Sequence, residues 1–239
     1  MTDSICIEAV EPSRIEEFIR VPYGLYRGLP NWIPPLLLER RMALKPGATA
    51  YLRRAETAFW IARRDGRPVG RISAQIDPRS VERHPGVGHF GLIAAEDDAE
   101  TVRLLLRTAE DWLKARGMKT AVGPMNLSIN EELGLLVDGF DTPPMMMMPH
   151  DPPYLSRHVE AAGYAKAVDL YAYMVDYRHG FNPRMNRFVQ RALASGITVR
   201  PLDRSDYMGE VRRVVEIFND AWRDNWGFVP FSEEEIGQL

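Results

Sequence analysis

The stretch "RDGRPVGRISAQID", Arg64 to Asp77, decides the fold. Asp65-Gly66 is the pair a two-residue hairpin turn needs, because both central residues take positive φ there. It sits between Ala58 to Arg63 and Pro68 to Ile76, runs containing β-branched and aromatic residues, so the two read as antiparallel strands. Towards the C-terminus, Gly88 to Ala95 continues the sheet. Ala99 to Ala115 then carries Val102, Leu105, Leu106, Ala109 and Leu113 on one helical face and stops at Arg116-Gly117. Towards the N-terminus, Ile5 to Val10 reads as a strand, and Pro12-Ser13 opens a helix with Ile15, Phe18 and Ile19 on one side. A second helix starts at Pro34-Pro35, runs to Ala43 and is stopped by Lys45-Pro46-Gly47. Beyond the long helix the pattern predicts a strand at Thr120 to Gly123, a helix at Glu131 to Val137 and a strand at Met145 to Met148. A helix at Pro152 to Ala162 and a strand at Val168 to Asp176 complete the order β-α-α-β-β-β-α-β-α-β-α-β. That order implies a mixed α/β sheet.

The 239 residues can bury a sizeable core, and 45% apolar with 26% charged residues is ordinary for a folded domain. Thirty basic and 33 acidic side chains leave a formal charge of -3, which offers no global field for nucleic acid or an anionic bilayer. Cys6 is the single cysteine, so no internal disulfide forms and a reducing compartment is expected. No basic flank precedes an apolar stretch at the start, and no run reaches the roughly 18 apolar residues of a membrane span. The expectation is a cytoplasmic protein. His84, His89, His158 and His179 lack a ligand spacing with carboxylates or cysteine, so no metal is expected.

The tail resembles the head. "ICIEAVEPS" at Ile5 is matched by "ITVRPLDRS" at Ile197, an offset of 192 (197 minus 5), and "NWIPP" at Asn31 by "NWGFVPF" at Asn225, an offset of 194 (225 minus 31). Self-similarity at a near-fixed period indicates duplicated units. The reading is a first domain at 1–178, a joining helix at 179–196 that begins at Phe181, and the first strand and helices of a second copy at 197–239.

"GPMNLSINEE", Gly123 to Glu132, places Asn126, Ser128 and Asn130 between Met125, Leu127 and Ile129 where a strand ends. One reading has Ser128 or Asn130 capping the next helix and Asn126 closing a turn. The other has the trio lining a cleft, because partly buried polar groups are retained where they bond to something. Asp138-Gly139 reads as a turn with Gly139 left-handed, and Asp138 is also a candidate binding group, since such groups often lie in loops. Met145 to Met148, Met146 among them, reads as core or as an adaptable apolar channel. His150 suits proton transfer but reads more readily as a surface or capping residue of its proline-rich loop, and Tyr154, Tyr171 and Tyr173 read from the residues alone as buried rings with bonded hydroxyls.

The words "VPYGLYRGLPNWIPPL", "RDGRPVGRISAQID", "GPMNLSINEELGLLVDGFDTPPMMMMPHDPPY" and "DLYAY", across Val21 to Tyr173, resemble a bacterial family of tandem GNAT-like acyltransferases. The resemblance implies the GNAT N-acyltransferase fold and transfer of an acyl group from acyl-CoA or an acyl carrier protein to an amine. Related bacterial enzymes acylate long-chain amino bases, as in ceramide formation. The resemblance implies a V-shaped opening between the fourth and fifth strands, lined by Phe90 and Leu92, whose splayed backbone holds the pantetheine arm. Glu131, His150 and Tyr154 become its catalytic candidates, and Asn126, Ser128, Asn130, Asp138 and Met146 its binding candidates. The partners it implies are a lipid-like amine, an acyl carrier protein, the second GNAT-like domain and a peripheral membrane contact. One departure stands out. Where such proteins hold the coenzyme diphosphate at a helix N-terminus, this chain has Glu96-Asp97-Asp98-Ala99-Glu100, and carboxylates repel a diphosphate. The alternative is a degenerate, non-catalytic copy that binds lipid or its sister domain.

Overall fold

Five strands form one sheet in chain order: β1 (Ile5–Ala9), β2 (Glu56–Arg64), β3 (Arg67–Ile76), β4 (Val87–Ala95) and β5 (Thr120–Val122). The computed structural model describes residues 4–176, 178, 180 and 182–237. The turn that orders the sheet is the expected one: Asp65 and Gly66 have φ of 51° and 77°, and Arg64 faces Arg67 across it. β1 to β4 are antiparallel neighbours, whereas β5 runs parallel to β4 for three residues, pairing Val87 with Thr120, Gly88 with Ala121 and His89 with Val122.

Helices cover both faces. On one side α5 (Ala99–Lys114) and α6 (Pro153–Ala161) bury Leu105, Leu106 and Leu155 against Val69, Ile72 and Phe90. On the other, α1 (Ile15–Leu25) lays Phe18 and Ile19 on Ile61 and Leu92, with Leu127 in the same cluster. α1 carries Pro22 internally, which removes the amide that would bond the Phe18 carbonyl. Arg71 of β3 replaces it, donating Nη1 to Phe18 O at 2.9 Å while its guanidinium lies 4.7 Å from the centre of the Phe18 ring.

The remaining elements of this region are α2 (Leu37–Leu44), α3 (Ala50–Arg54) and α4 (Pro78–Arg83). α2 starts later than expected, because the prolines at 34 and 35 lie in an extended lead whose Pro35 carbonyl accepts from the Tyr23 hydroxyl. The two short helices were missed, although each has a legible cap: Thr49 Oγ1 accepts from Leu52 N at 3.1 Å, and Asp77 Oδ1 from Arg79 N at 3.0 Å.

Three elements expected between residues 131 and 176 are absent. Residues 131–137 form no helix, because the backbone there bonds back to the stretch before it: Met125 bridges Leu133, Asn126 N donates to Glu132 O and Gly134 N to Pro124 O. Residues 145–148 form a turn rather than a strand, with Met147 at φ 63° and Met148 N bonded to Met145 O. Residues 168–176 form no strand. β-branched and aromatic residues stabilise a ladder only where a partner strand supplies one.

The chain forms two compact units, 1–165 with 219–239, and 166–218. The second contains α7 (Pro183–Ala194) and most of α8 (Tyr207–Ala221), and exposes Phe188, Val199 and Ile217. The expected strand at Ile197 is not formed. A 3-10 turn at Arg204–Asp206 leading into α8 does follow the 3-10 turn at Pro12–Arg14 leading into α1 by the same offset of 192 (204 minus 12). Phe181, where the joining helix was expected to start, and His179 lie outside the described residues.

Candidate functional site

β5 leaves β4 after Val122, and the chain crosses the β4 edge as Gly123 to Leu127. The approach is backbone on backbone. A Cβ on Gly91 would stand 1.9 Å from Met125 O, and one on Gly123 would stand 2.3 Å from Phe90 O, so both positions require glycine. The β4 edge is then covered group by group: Met125 N donates to Phe90 O at 2.8 Å, and Leu92 N donates to the Asn126 carboxamide oxygen at 2.7 Å. Further along, Ala95 N donates to the Tyr26 hydroxyl at 3.3 Å and Ala95 O accepts from the Tyr154 hydroxyl at 2.8 Å. The two strands part after Val122 as a fork, and groups of the chain itself fill it.

Two leucines at this crossing have positive φ, Leu92 at 46° and Leu127 at 79°. Non-glycine residues hold such angles where the surroundings over-determine them, and such positions concentrate at functional sites. Packing holds both, for Leu92 is 5% and Leu127 8% exposed. From beneath, Gln75 of β3, fully buried, donates Nε2 to Met125 O at 2.6 Å, and Ser73 Oγ donates to Gln75 Oε1.

Asn126 is the hub. Its Nδ2 donates to Glu132 at 2.9 Å, and the other Glu132 oxygen accepts from Arg40 of α2, with both of these charged side chains mostly enclosed. Glu132, which the sequence did not single out, is thus the carboxylate that holds Asn126. Glu131 itself is exposed; desolvation raises its carboxyl, with Arg40 opposing the shift. Ser128 and Asn130 are half-buried and cap no helix, since none follows; Ser128 Oγ accepts from Asn130 N. Phe90 and Leu92 point their side chains into the two cores and offer only backbone to the fork. Asp138 accepts from Gly139 N at 2.9 Å in the expected left-handed turn, with Gly139 at φ 87°. Met146, 91% exposed, lies on the surface of its turn, and Tyr171 and Tyr173 are exposed in the other unit. His150 is half-buried beside Asp151.

Asp151 was not singled out in the sequence, where it reads as one more loop acid before two prolines. Desolvation pushes its carboxyl up to about 7, assisted by the Glu132 charge, against the pull of the Leu136 amide and Arg71. Tyr154, beside it in sequence, is pushed up to about 12 by desolvation and by Asp97, Glu96 and Asp151. A carboxyl that titrates near neutrality and a hydroxyl that stays protonated thus lie near the far end of the fork.

The acidic turn before α5 is less repulsive than its sequence implies. Glu96 pairs with Arg64 and Arg67, Asp97 with His158 at 2.7 Å, and Glu100 with Arg103 at 2.6 Å. Asp98 occupies the helix start itself, accepting from Thr101 N at 3.0 Å and pairing with Arg64. A group of His, Cys, Asp and Glu that could hold a metal is absent among the described residues, as is a helix long and apolar enough to cross a membrane.

No family model matches the chain. Solved structures to which it is similar include an aminoglycoside acetyltransferase from an uncultured soil metagenomic sample, at 10% identity and a TM-score of 0.44, covering 72% of this chain and 97% of that one. A tandem GNAT protein from the clavulanic acid biosynthesis pathway aligns at 14% identity and a TM-score of 0.43, covering 67% and 43% of the two chains. Among curated proteins, Protein YghO of Escherichia coli is 41% identical over 94% of this chain and 58% of its own length. The chain spans about three-fifths of the curated relatives it matches. It is similar, at 51% identity over 99% of its own length and 62% of the relative's, to the bacterial ceramide synthase of Caulobacter vibrioides.

Proposed function

We propose that the chain is part of an N-acyltransferase that moves an acyl group from a thioester, acyl-CoA or acyl carrier protein, to a lipid-like amine. The observation that carries the reading is the Leu92 amide at the fork, bonded to a side chain instead of a strand. A side chain can rotate away where a strand cannot. A thioester carbonyl replacing Asn126 on Leu92 N–H would be polarised by a fixed backbone donor in an enclosed place. Asp151 would take the proton from the attacking amine, and Tyr154 would supply one to the departing thiolate. Glu131 and His150 remain second candidates for the base. The 51% identical ceramide synthase supports a long-chain acceptor. An apolar rim fits its tail: Leu36, Leu38 and Met42 are exposed around α2, as are Val137 and Met145 to Met147 on the loop tied to it by the Asn31 to Phe140 and Arg40 to Glu132 bonds.

The test is the full-length protein with acyl thioesters and a panel of amines, following thiol release. Asn126→Ala removes the side chain that positions Leu92 N–H before the thioester enters and strips a partner from Glu132, so kcat/KM is expected to fall by about 10- to 100-fold through lost positioning. Thiol release at background level for every donor and amine would refute the reading. A second reading, a non-catalytic copy beside a catalytic sister domain, is favoured by the complete coverage of the β4 edge by the chain's own groups. Wild-type turnover in both Asn126→Ala and Asp151→Asn would select it.

A further inference from the structure

Residues 219–237 fold with residues 4–165, burying Phe228, Val229 and Ile236 to 4%, 7% and 6% exposure. They end in α9 (Glu233–Ile236), whose capping box joins Ser232 and Glu235. The same Glu235 carboxylate pairs with Arg54 at 2.9 Å and Arg79 at 3.2 Å, and Arg54 pairs in turn with Asp77 at 2.9 Å. Against this cluster lies a cavity of about 20 Å³, room for one water, walled on one side by Ser128 and Asn130 and on another by Gly227 and Val229. Gly227 has φ 65°, and a Cβ there would stand 3.1 Å from Ile129 Cδ1.

These contacts reach the site. Ile129 is three residues from Asn126, and Leu127 between them has its positive φ of 79°. One end of this loop is anchored by Asn126 N on Glu132 O and Gly134 N on Pro124 O. We infer that residues 225–236 are a strut for the other end, with Gly227 and Glu235 as positioning residues that act through Ile129 on the hydrogen bond between Asn126 and Leu92. A backbone angle of this kind persists only where neighbours fix it: the α1 cluster packs Leu127 and Gln75 holds Met125 O, and the strut adds the support at Ile129. Only its catalytic consequence rests on the acyl-transfer reading.

The experiment is amide hydrogen exchange on the full chain, comparing Glu235→Gln, Gly227→Val and the control Arg116→Gln. Arg116 pairs with Glu56, away from the strut. In the first two variants the Leu92 amide is expected to exchange about tenfold faster or more, while the Ile72 and Trp60 amides keep their protection. In the thioester assay kcat falls several-fold with KM for the amine unchanged. The control changes neither. Unaltered Leu92 exchange, or equal acceleration at Leu92, Ile72 and Trp60, overturns the inference. If exchange responds as expected but no protein turns over substrate, the strut stands and the acyl-transfer reading falls.

Discussion

Asp151 shows how a residue's neighbours set its chemistry. With its carboxyl raised to about 7 from 3.8, the folded state holds a proton between those values that the unfolded chain has lost. Stability therefore declines as pH rises from about 4 to 7 and levels off above. Asp151→Asn removes this penalty and is expected to raise stability above pH 7 by about 1–3 kcal/mol, with little change near pH 4, in urea titrations at the two pH values. If Asp151 is the base, the same substitution lowers kcat by about 100-fold or more and abolishes the rise of activity through pH 7. Arg71 is the matching case among cations. Burial lowers its pKa to about 10, and its Nε has no acceptor among the described residues. Its partner is the carbonyl that Pro22 leaves free. A double-mutant cycle should thus show coupling: Arg71→Met is expected to cost about 1 kcal/mol less in a Pro22→Ala background than in the wild type. Equal costs in both backgrounds would break this account of the kink.

At the scale of elements, the site is a consequence of a strand that pairs for only three residues. β5 ends at Val122, and the next five residues turn across β4 because Gly91 and Gly123 let two backbones meet. Gly91→Ala puts a methyl group inside the Met125 carbonyl and has no relaxed alternative within the sheet. The expected result is a loss of at least about 3 kcal/mol of stability, or failure to fold, read by thermal melting against the conservative control Ala94→Gly. The α5 start shows the opposite tendency, elements being robust where every group is spoken for. Its four carboxylates look like a charge defect in one dimension and form a network with Arg64, Arg67, Arg103 and His158 in three. The long helix was legible in its 3.6-residue apolar period, and the hairpin in one dipeptide. The expected helix at 131–137 failed for a physical reason that periodicity does not carry, since its backbone bonds with Pro124 and Asn126 at short range.

For the whole molecule, the last residues belong to the first fold. Phe228, Val229 and Ile236 are buried, and four arginines of α3 and α4, at 53, 54, 79 and 83, bond to residues 223–235. Ending the chain at residue 218 is therefore expected to cost roughly 3–6 kcal/mol, seen as a lower urea midpoint for the remaining unit. An unchanged midpoint would show that this packing contributes nothing to stability. The sequence read the same residues as the opening of a second copy, and the shared offset of the 3-10 turns and of α1 and α8 supports that proposal.

Local chemistry alone determined the strand order β1 to β5, the helices α1 and α5, the Asp65-Gly66 turn, the Gly139 turn and the polarity of the Asn126 stretch, because each depends on residues close in the chain. Tertiary structure alone decided that Glu132 holds Asn126, that Leu92 offers an amide to it, and that burial raises the Asp151 carboxyl. Those facts depend on which distant groups exclude water from a side chain, and desolvation is a property of the assembled surroundings that no stretch of sequence carries by itself.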